Sequence, residues 1–249
     1  MAPRTVVVVP CYDEAARLPT SSYAEFLRAH ADVGFVFVDD GSRDGTLALL
    51  RGIASAAPER ARVLALPGNV GKAEAVRLGM LSALEDGAGA VGFWDADLST
   101  PLDAILEFRE ILERRPQIDL AIGSRVVLLG RRVERRALRH YLGRIAATAI
   151  SLALGLRVYD TQCGAKLFRA GEPTRALFAE PFTARWIFDV EILARMVRAR
   201  RGGELAPAAS AICEVPLARW LDVAGSKVRA RDYLRGALDL WRIRRRYLA

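Results

Sequence analysis

Between residues 5 and 123 the chain alternates short, β-branched apolar runs with longer segments whose apolar residues recur at helical spacing. Residues 5–9, 35–38, 61–65, 90–94 and 119–123 read as strands, and 45–57, 71–84 and 101–114 as helices. Leu47, Leu50 and Ile53 share one helical face, as do Val76, Met80 and Leu84. Pro101 stands at a first-turn position, where its missing N–H costs nothing. Strands joined by helices of this length predict an α/β fold with a mostly parallel, doubly wound sheet. Such sheets bind ligands beyond the carboxyl ends of their strands. Residues 10–14, 39–44 and 95–97 all fall there, so three acidic loops are expected to share one rim.

The run GAVGFWDADLSTP sets two carboxylates directly after a buried strand. On extended backbone, residues two apart point the same way. Asp95 and Asp97 are therefore candidates for one hard cation, magnesium or manganese, completed by phosphate oxygens and water. A polar loop with a helix cap before Pro101 accounts for the same residues, and this stretch alone leaves both readings open.

The rear half is less regular. Arginines crowd residues 126–139, and Leu138, Leu142, Ile145, Ala149 and Leu152 can share a helical face. Residues 163–168 and 211–215 are candidate strands, 187–200 a helix broken by Gly202 and Gly203, and 228–247 an amphipathic terminal helix. With no repeat and no low-complexity linker, one continuous domain over residues 1–249 is expected. A composition of 52% hydrophobic and 27% charged residues excludes a disordered tail and a membrane bundle. The net charge of +8 predicts attraction to anions. Cys11, Cys163 and Cys213 stand far apart, and His30 and His140 are the only imidazoles. That inventory argues against zinc and a disulfide framework and fits a reducing cytoplasm. Residues 6–9 are too short for a signal peptide, and the uncharged stretch 145–156 falls short of the roughly 20 residues that cross a bilayer.

VVVVPCYDEAARL, VDDGSRDGT, NVGKAEAVRLGM, DADLSTP and IGSR, in this order and spacing, resemble the nucleotide-sugar half of the family 2 glycosyltransferases. DTQCGAKLFR, RWIFDVEIL and the EVP…W…GSK stretch are similar to the dolichyl-phosphate β-glucosyltransferases and bacterial polyprenyl-phosphate relatives, kin of the dolichyl-phosphate mannose synthases. The resemblance implies a GT-A nucleotide-diphospho-sugar transferase fold. Residues 1–125 would form the nucleotide-sugar-binding half and 126–249 the acceptor and membrane-facing half.

The same resemblance implies roles for particular residues. Pro10, Tyr12 and Glu14 match the segment bordering the nucleotide base; the family usually carries asparagine where Asp13 stands. Val38 and Asp40 match the lining of the base pocket, with Asp40 accepting the uracil imide hydrogen. Asp39 to Ser42 also reads as a capped turn. Lys72 matches a group approaching the diphosphate, or is simply solvated. Asp95, Ala96 and Asp97 become the metal and sugar-diphosphate motif, with Asp97 the direct ligand of Mg2+ or Mn2+ and Asp95 facing the sugar or ribose. Arg125 falls near the donor diphosphate or the acceptor phosphate, and Lys227 matches a lysine closing over the diphosphate. Asp189 and Glu191 are candidates for holding sugar hydroxyls, orienting a basic residue, or capping their helix.

The implied reaction is inverting transfer of glucose from UDP-glucose to a polyprenyl phosphate. That acceptor is already an anion at neutral pH, so no general base is obligatory. Transfer from GDP-mannose, transfer to a hydroxyl acceptor with Asp189 as base, and a non-catalytic binding module are the alternatives. A nucleic-acid partner has only the net charge in its favour, and no reading module accompanies it. Arg131, Arg132, Arg135, Arg136 and Arg139 precede the apolar-faced helix. They read as a solvated face, or as an interfacial segment that meets anionic lipid, with Arg136 and Arg139 guiding the acceptor phosphate. Many relatives carry a transmembrane anchor and none is legible here. Peripheral attachment to the cytoplasmic, inner face of a membrane is therefore the expectation.

Overall fold

The computed structural model describes residues 4–130, 132–133, 137–203, 205–221 and 230–249; of 132–133, 137–142 and 230–234 it describes the backbone alone. The front half runs β1 (Thr5–Cys11), α1 (Thr20–Ala29), β2 (Val33–Asp39), α2 (Thr46–Ser55), β3 (Ala61–Ala65), α3 (Lys72–Leu84), β4 (Ala90–Trp94), α4 (Ala104–Arg114) and β5 (Leu120–Ser124). The rear half follows with β6 (Arg132–Val133), α5 (Ala137–Leu154), β7 (Ala165–Arg169), α6 (Glu172–Ala179) and α7 (Phe188–Ala199). Then come α8 (Ala208–Ala211), β8 (Ile212–Pro216), β9 (Arg219–Trp220), α9 (Ala230–Ile243) and a π-helical turn, Arg244–Leu248.

Seven strands form one sheet in the order β3-β2-β1-β4-β7-β5-β8, and β6 pairs with β9 in a separate ribbon. Every pairing is parallel except those of β7, which runs antiparallel to both β4 and β5. The expectation of a mostly parallel α/β sheet flanked by helices therefore holds, and it extends through the rear half. The central strands are apolar on both faces, as covered parallel strands must be: β2, β4 and β5 are buried along their whole length. One face packs against α3, α6 and α7 through Val8, Val38, Met80, Phe93, Phe178 and Phe188. The other packs against α1, α2 and α4 through Val9, Tyr23, Phe37, Leu50, Trp94 and Phe108.

Several boundaries differ from the sequence reading for physical reasons. β1 does not end at Pro10 but continues to Cys11, because its pairing with β4 stops at Val8 and no ladder on that side needs the missing N–H. Pro101 belongs to a turn before α4, closed by the Ala104 N–H donating to the Pro101 carbonyl at 3.2 Å. Helices α1 and α6 were not foreseen. The first buries Tyr23, Phe26 and Leu27 at the i, i+3, i+4 spacing of an amphipathic helix.

Close approach of backbone sets two glycines. At Gly79 of α3, an added Cβ would meet Val38 Cγ2 at 2.8 Å, so the helix lies tight on β1 and β2. At Gly92 of β4 it would run into the Lys166 carbonyl of β7. Gly92→Ala should cost about 1–3 kcal/mol, the usual toll of overpacking. Gly52→Ala, mid-helix in α2 with nothing within 4 Å, should stabilise by about 0.5–1 kcal/mol. Urea unfolding of the two variants checks both signs.

Candidate functional site at the strand carboxyl ends

The loops after β1, β2, β4 and β5 meet at one rim of the sheet, joined there by the amino end of antiparallel β7. Two of these loops are stitched together. Asp13 accepts from the Arg43 N–H at 2.8 Å, Ser42 Oγ from the Asp13 N–H at 3.1 Å, and Thr46 Oγ1 from the Glu14 N–H at 2.8 Å. Asp13 adopts φ +51°, a left-handed conformation that aspartate and asparagine tolerate, which explains why either residue serves at this position. Tyr12 sits half-buried in that frame. Pro10 pairs with Val38 across β1 and β2. Glu14 is buried and ion-paired to Arg17, which donates to its Oε1 at 2.5 Å. Glu14 holds the Arg17 guanidinium above its ordinary pKa, with Asp97 and Asp95 adding to the effect.

One expectation for the base pocket is corrected. The Val38 side chain is fully buried beneath Gly79 of α3, so it belongs to the core and lines no open pocket. Asp40 braces the next loop, accepting from the Val70 N–H at 2.7 Å and the Gly71 N–H at 2.9 Å, one on each oxygen. Burial raises the Asp40 pKa; those two amides oppose the rise and Asp39 adds to it. Its neighbour Asp39 is buried with Oδ1 unpartnered among the described residues. Gly41, at φ +68°, lets this corner press against Gly68, whose backbone an added Cβ would reach at 2.5 Å.

The acid pair after β4 also differs from its expected geometry. The strand stops at Trp94, and Asp95, Ala96 and Asp97 lie on a turn in which the Leu98 N–H reaches the Asp95 carbonyl at 3.3 Å. Extended backbone therefore does not aim the two carboxylates. The turn is braced from several sides: Tyr23 Oη donates to the Ala96 carbonyl at 3.2 Å and Trp94 Nε1 to the Thr100 carbonyl at 3.0 Å. Asp97 Oδ1 accepts from Ser99 N–H at 3.0 Å and Ser99 Oγ at 2.8 Å. Leu98 has φ +52°, a costly conformation for leucine and the kind of strain that collects at functional sites.

Lys72, the first residue of α3, places Nζ 2.5 Å from Asp95 Oδ1. Lost hydration opposes its charge, but Asp95, Asp189 and Asp97 together raise its pKa. Both side chains remain open to solvent, 46% and 36% exposed, so the pair can be rearranged by a ligand. Behind Asp95 stands Gly164, whose carbonyl accepts the Asp95 N–H at 3.0 Å and whose missing side chain leaves room for the Asp95 carboxylate.

Arg125, just beyond β5, is held by Asp160 through two bonds of 2.6 and 2.7 Å and lies 5.4 Å from the Trp220 ring centroid. Burial opposes its charge, yet Asp160 keeps its pKa above the ordinary arginine range. Glu214 of β8 fixes Asp160 in turn, accepting from the Tyr159 and Asp160 N–H groups at 2.8 Å each. Asp189, in the first turn of α7, is buried and paired with Lys166 at 2.5 Å, and Glu191 is buried against Arg195 and Tyr247. Both acids orient basic or phenolic partners within the fold. Arg136 and Lys227 lie outside the described residues, as does the side chain of Arg139. Arg17, Asp160, Lys166 and Glu214 were given no role from sequence, although the VVVVPCYDEAARL, DTQCGAKLFR and EVP motifs contain them.

No cluster of three metal-ligating side chains occurs among the described residues. The donor set suits an ion held by one or two carboxylates and completed by phosphate oxygens and water. Charge agrees: Asp39, Asp40, Asp95 and Asp97 outnumber Lys72 and Arg17 at this rim, so a diphosphate would meet repulsion unless a cation accompanied it.

The profile described as Glycosyl transferase family 2 matches residues 6–171. A dolichyl-phosphate β-glucosyltransferase of Trichomonas vaginalis is 32% identical over 96% of this chain and 70% of its own length. The dolichyl-phosphate β-glucosyltransferase of Homo sapiens is 30% identical over 97% of this chain and 75% of its own. Among solved structures, the glucosyl-3-phosphoglycerate synthase of Mycobacterium tuberculosis, seen with Mn2+, UDP and glucosyl-3-phosphoglycerate, aligns over 95% of this chain and 76% of its own. Its TM-score is 0.64 at 22% identity, a likeness of fold.

Proposed function

The chain belongs to glycosyl transferase family 2, with the GT-A fold and the dolichyl-phosphate β-glucosyltransferases among its relatives, and we propose that it transfers glucose from UDP-glucose to a polyprenyl phosphate. One observation carries the choice of a phosphate acceptor. Among the described residues, the carboxylates best placed to act as bases are already committed: Asp189 to Lys166, Asp160 to Arg125, Glu14 to Arg17 and Asp40 to two amides. A hydroxyl acceptor would need one of them free. A phosphate monoester, with its second pKa about 6, brings its own negative charge.

In this reading the base of the donor rests by Tyr12, and its imide N–H meets Asp40, whose carboxylate keeps acceptor capacity beside the two loop amides it already holds. Lys72 and Arg17 face the diphosphate across the Asp95–Asp97 turn. Asp97, with Asp95 beside it, would hold Mg2+ or Mn2+, which when bound neutralises charge on the departing nucleoside diphosphate. Asp95 orients the sugar or ribose, and Arg125, stiffened by Asp160 and Trp220, supplies positive charge toward the incoming phosphate. Displacement at the anomeric carbon by a phosphate oxygen inverts an α-linked donor to a β-linked product. Rate enhancement then comes from orientation and preorganised charge.

Peripheral attachment to an anionic, inner membrane surface is part of the proposal. Ile145 and Leu152 are exposed on α5, and Leu238 and Trp241 on α9, where Arg245 lies over the Trp241 ring. Apolar side chains beside arginines suit a lipid interface. No described helix is long and apolar enough to cross a membrane.

Two measurements test these points. With labelled nucleotide sugars, polyprenyl phosphate and Mg2+ or Mn2+, label should enter the organic phase from UDP-glucose, and Asp97→Ala should lower turnover at least about a hundredfold with the fold retained. Label from GDP-mannose alone would reassign the sugar, and full turnover by Asp97→Ala would remove Asp97 from the site. In sedimentation, the protein should pellet with anionic vesicles at low salt and release as salt rises. Protein left wholly in the supernatant at low salt contradicts the attachment.

A further inference from the structure

Lys166 lies on β7 in the middle of the sheet with no solvent exposure, and the chemistry above makes no use of it. Burying an ammonium is costly unless it is paired and hydrogen-bonded. Replacing such an ion pair by apolar residues of similar volume is often neutral or stabilising, so stability alone is a poor reason for one here. What the ammonium holds is specific. It donates to Asp189 Oδ1 at 2.5 Å, tying β7 to the first turn of α7, and to the Cys163 carbonyl at 2.7 Å. The Phe93 ring centroid lies 5.3 Å away.

The Cys163 carbonyl belongs to the peptide that leads into Gly164. Gly164 in turn accepts the Asp95 N–H at 3.0 Å and lies so close to the Asp95 carboxylate that no Cβ fits between them. Asp95 then meets Lys72 Nζ. A continuous line of contacts thus runs from α7 through Lys166 to the Cys163–Gly164 peptide, to Asp95, and to the lysine facing the donor diphosphate. We propose that Lys166, paired with Asp189, is a positioning residue for glucosyl transfer, fixing the Cys163–Gly164 peptide and thereby the Asp95 carboxylate and the Lys72 ammonium. This deepens the proposed function and rests on Asp95 and Lys72 serving the donor.

The test separates positioning from folding. Lys166→Met alone strands a buried carboxylate and should destabilise the protein. The double variant Lys166→Met/Asp189→Leu removes both charges. It should keep a Tm at or above that of wild type, retain affinity for uridine by calorimetry, since the base sits at the β1–β2 end, and lose about a hundredfold in kcat. A purely structural pair would move Tm and kcat together, so a stable double variant with wild-type kcat overturns the proposal. Gly164→Ala reads the same link from its other end should the double variant not fold. It leaves both charges in place, displaces Asp95, and should lower kcat with uridine affinity retained; wild-type kcat in that variant also overturns it. Wild type run alongside distinguishes the two levels. An inactive wild type refutes glucosyl transfer itself and the proposal with it, whereas an active wild type with an equally active double variant refutes positioning alone.

Discussion

The close approach of β7 to β4 is the constraint on which the site depends. Because β7 runs antiparallel in an otherwise parallel sheet, its amino end reaches the rim where its neighbours present their carboxyl ends. That reversal sets Asp160, Cys163 and Gly164 opposite the turn after β4. Two glycines permit the fit, Gly92 below and Gly164 at the rim. A fully parallel sheet would put the other end of this strand there, and Asp95 and Arg125 would lose their supports together.

Charge pairing follows from that geometry. Lys72 with Asp95, Arg17 with Glu14, Arg125 with Asp160, and Lys166 with Asp189 form a set of acid–base pairs around the cleft. Their burial differs, and so do their consequences. Lys166 and Asp189 are shielded and rigid, while Lys72 and Asp95 face solvent and can exchange partners when a diphosphate arrives. Fixed pairs behind mobile ones are what electrostatic preorganisation requires.

Much of this was legible in the chain. Strand and helix periods located β1 to β5 and helices α2, α3 and α4 within a few residues, and the acidic rim followed from parallel topology alone. The direction of β7 was not legible, since a five-residue apolar run carries no sign of its orientation. The bracing of Asp40 was not legible, because the amides of Val70 and Gly71 that hold it come from about thirty residues away. Val38 fell to strand alternation, which turns it under α3. The partners of Arg125 and Asp189 were hidden for the same reason: Asp160 and Lys166 come from the segment whose placement only the sheet order reveals. Helix α1 has no acidic first turn and no side-chain cap, so only its buried Tyr23, Phe26 and Leu27 marked it.

The central claim is that the nucleophile carries its own charge and the protein supplies no base. The pH dependence of kcat/KM for glucosyl transfer tests it, measured with a polyprenyl phosphate and with the matching methylene phosphonate, whose second ionisation lies at higher pH. The rising limb should sit near the acceptor's own second pKa, about 6 for the phosphate, and shift upward with the phosphonate. A limb that stays at one pH for both acceptors would belong to a protein group and contradict the account.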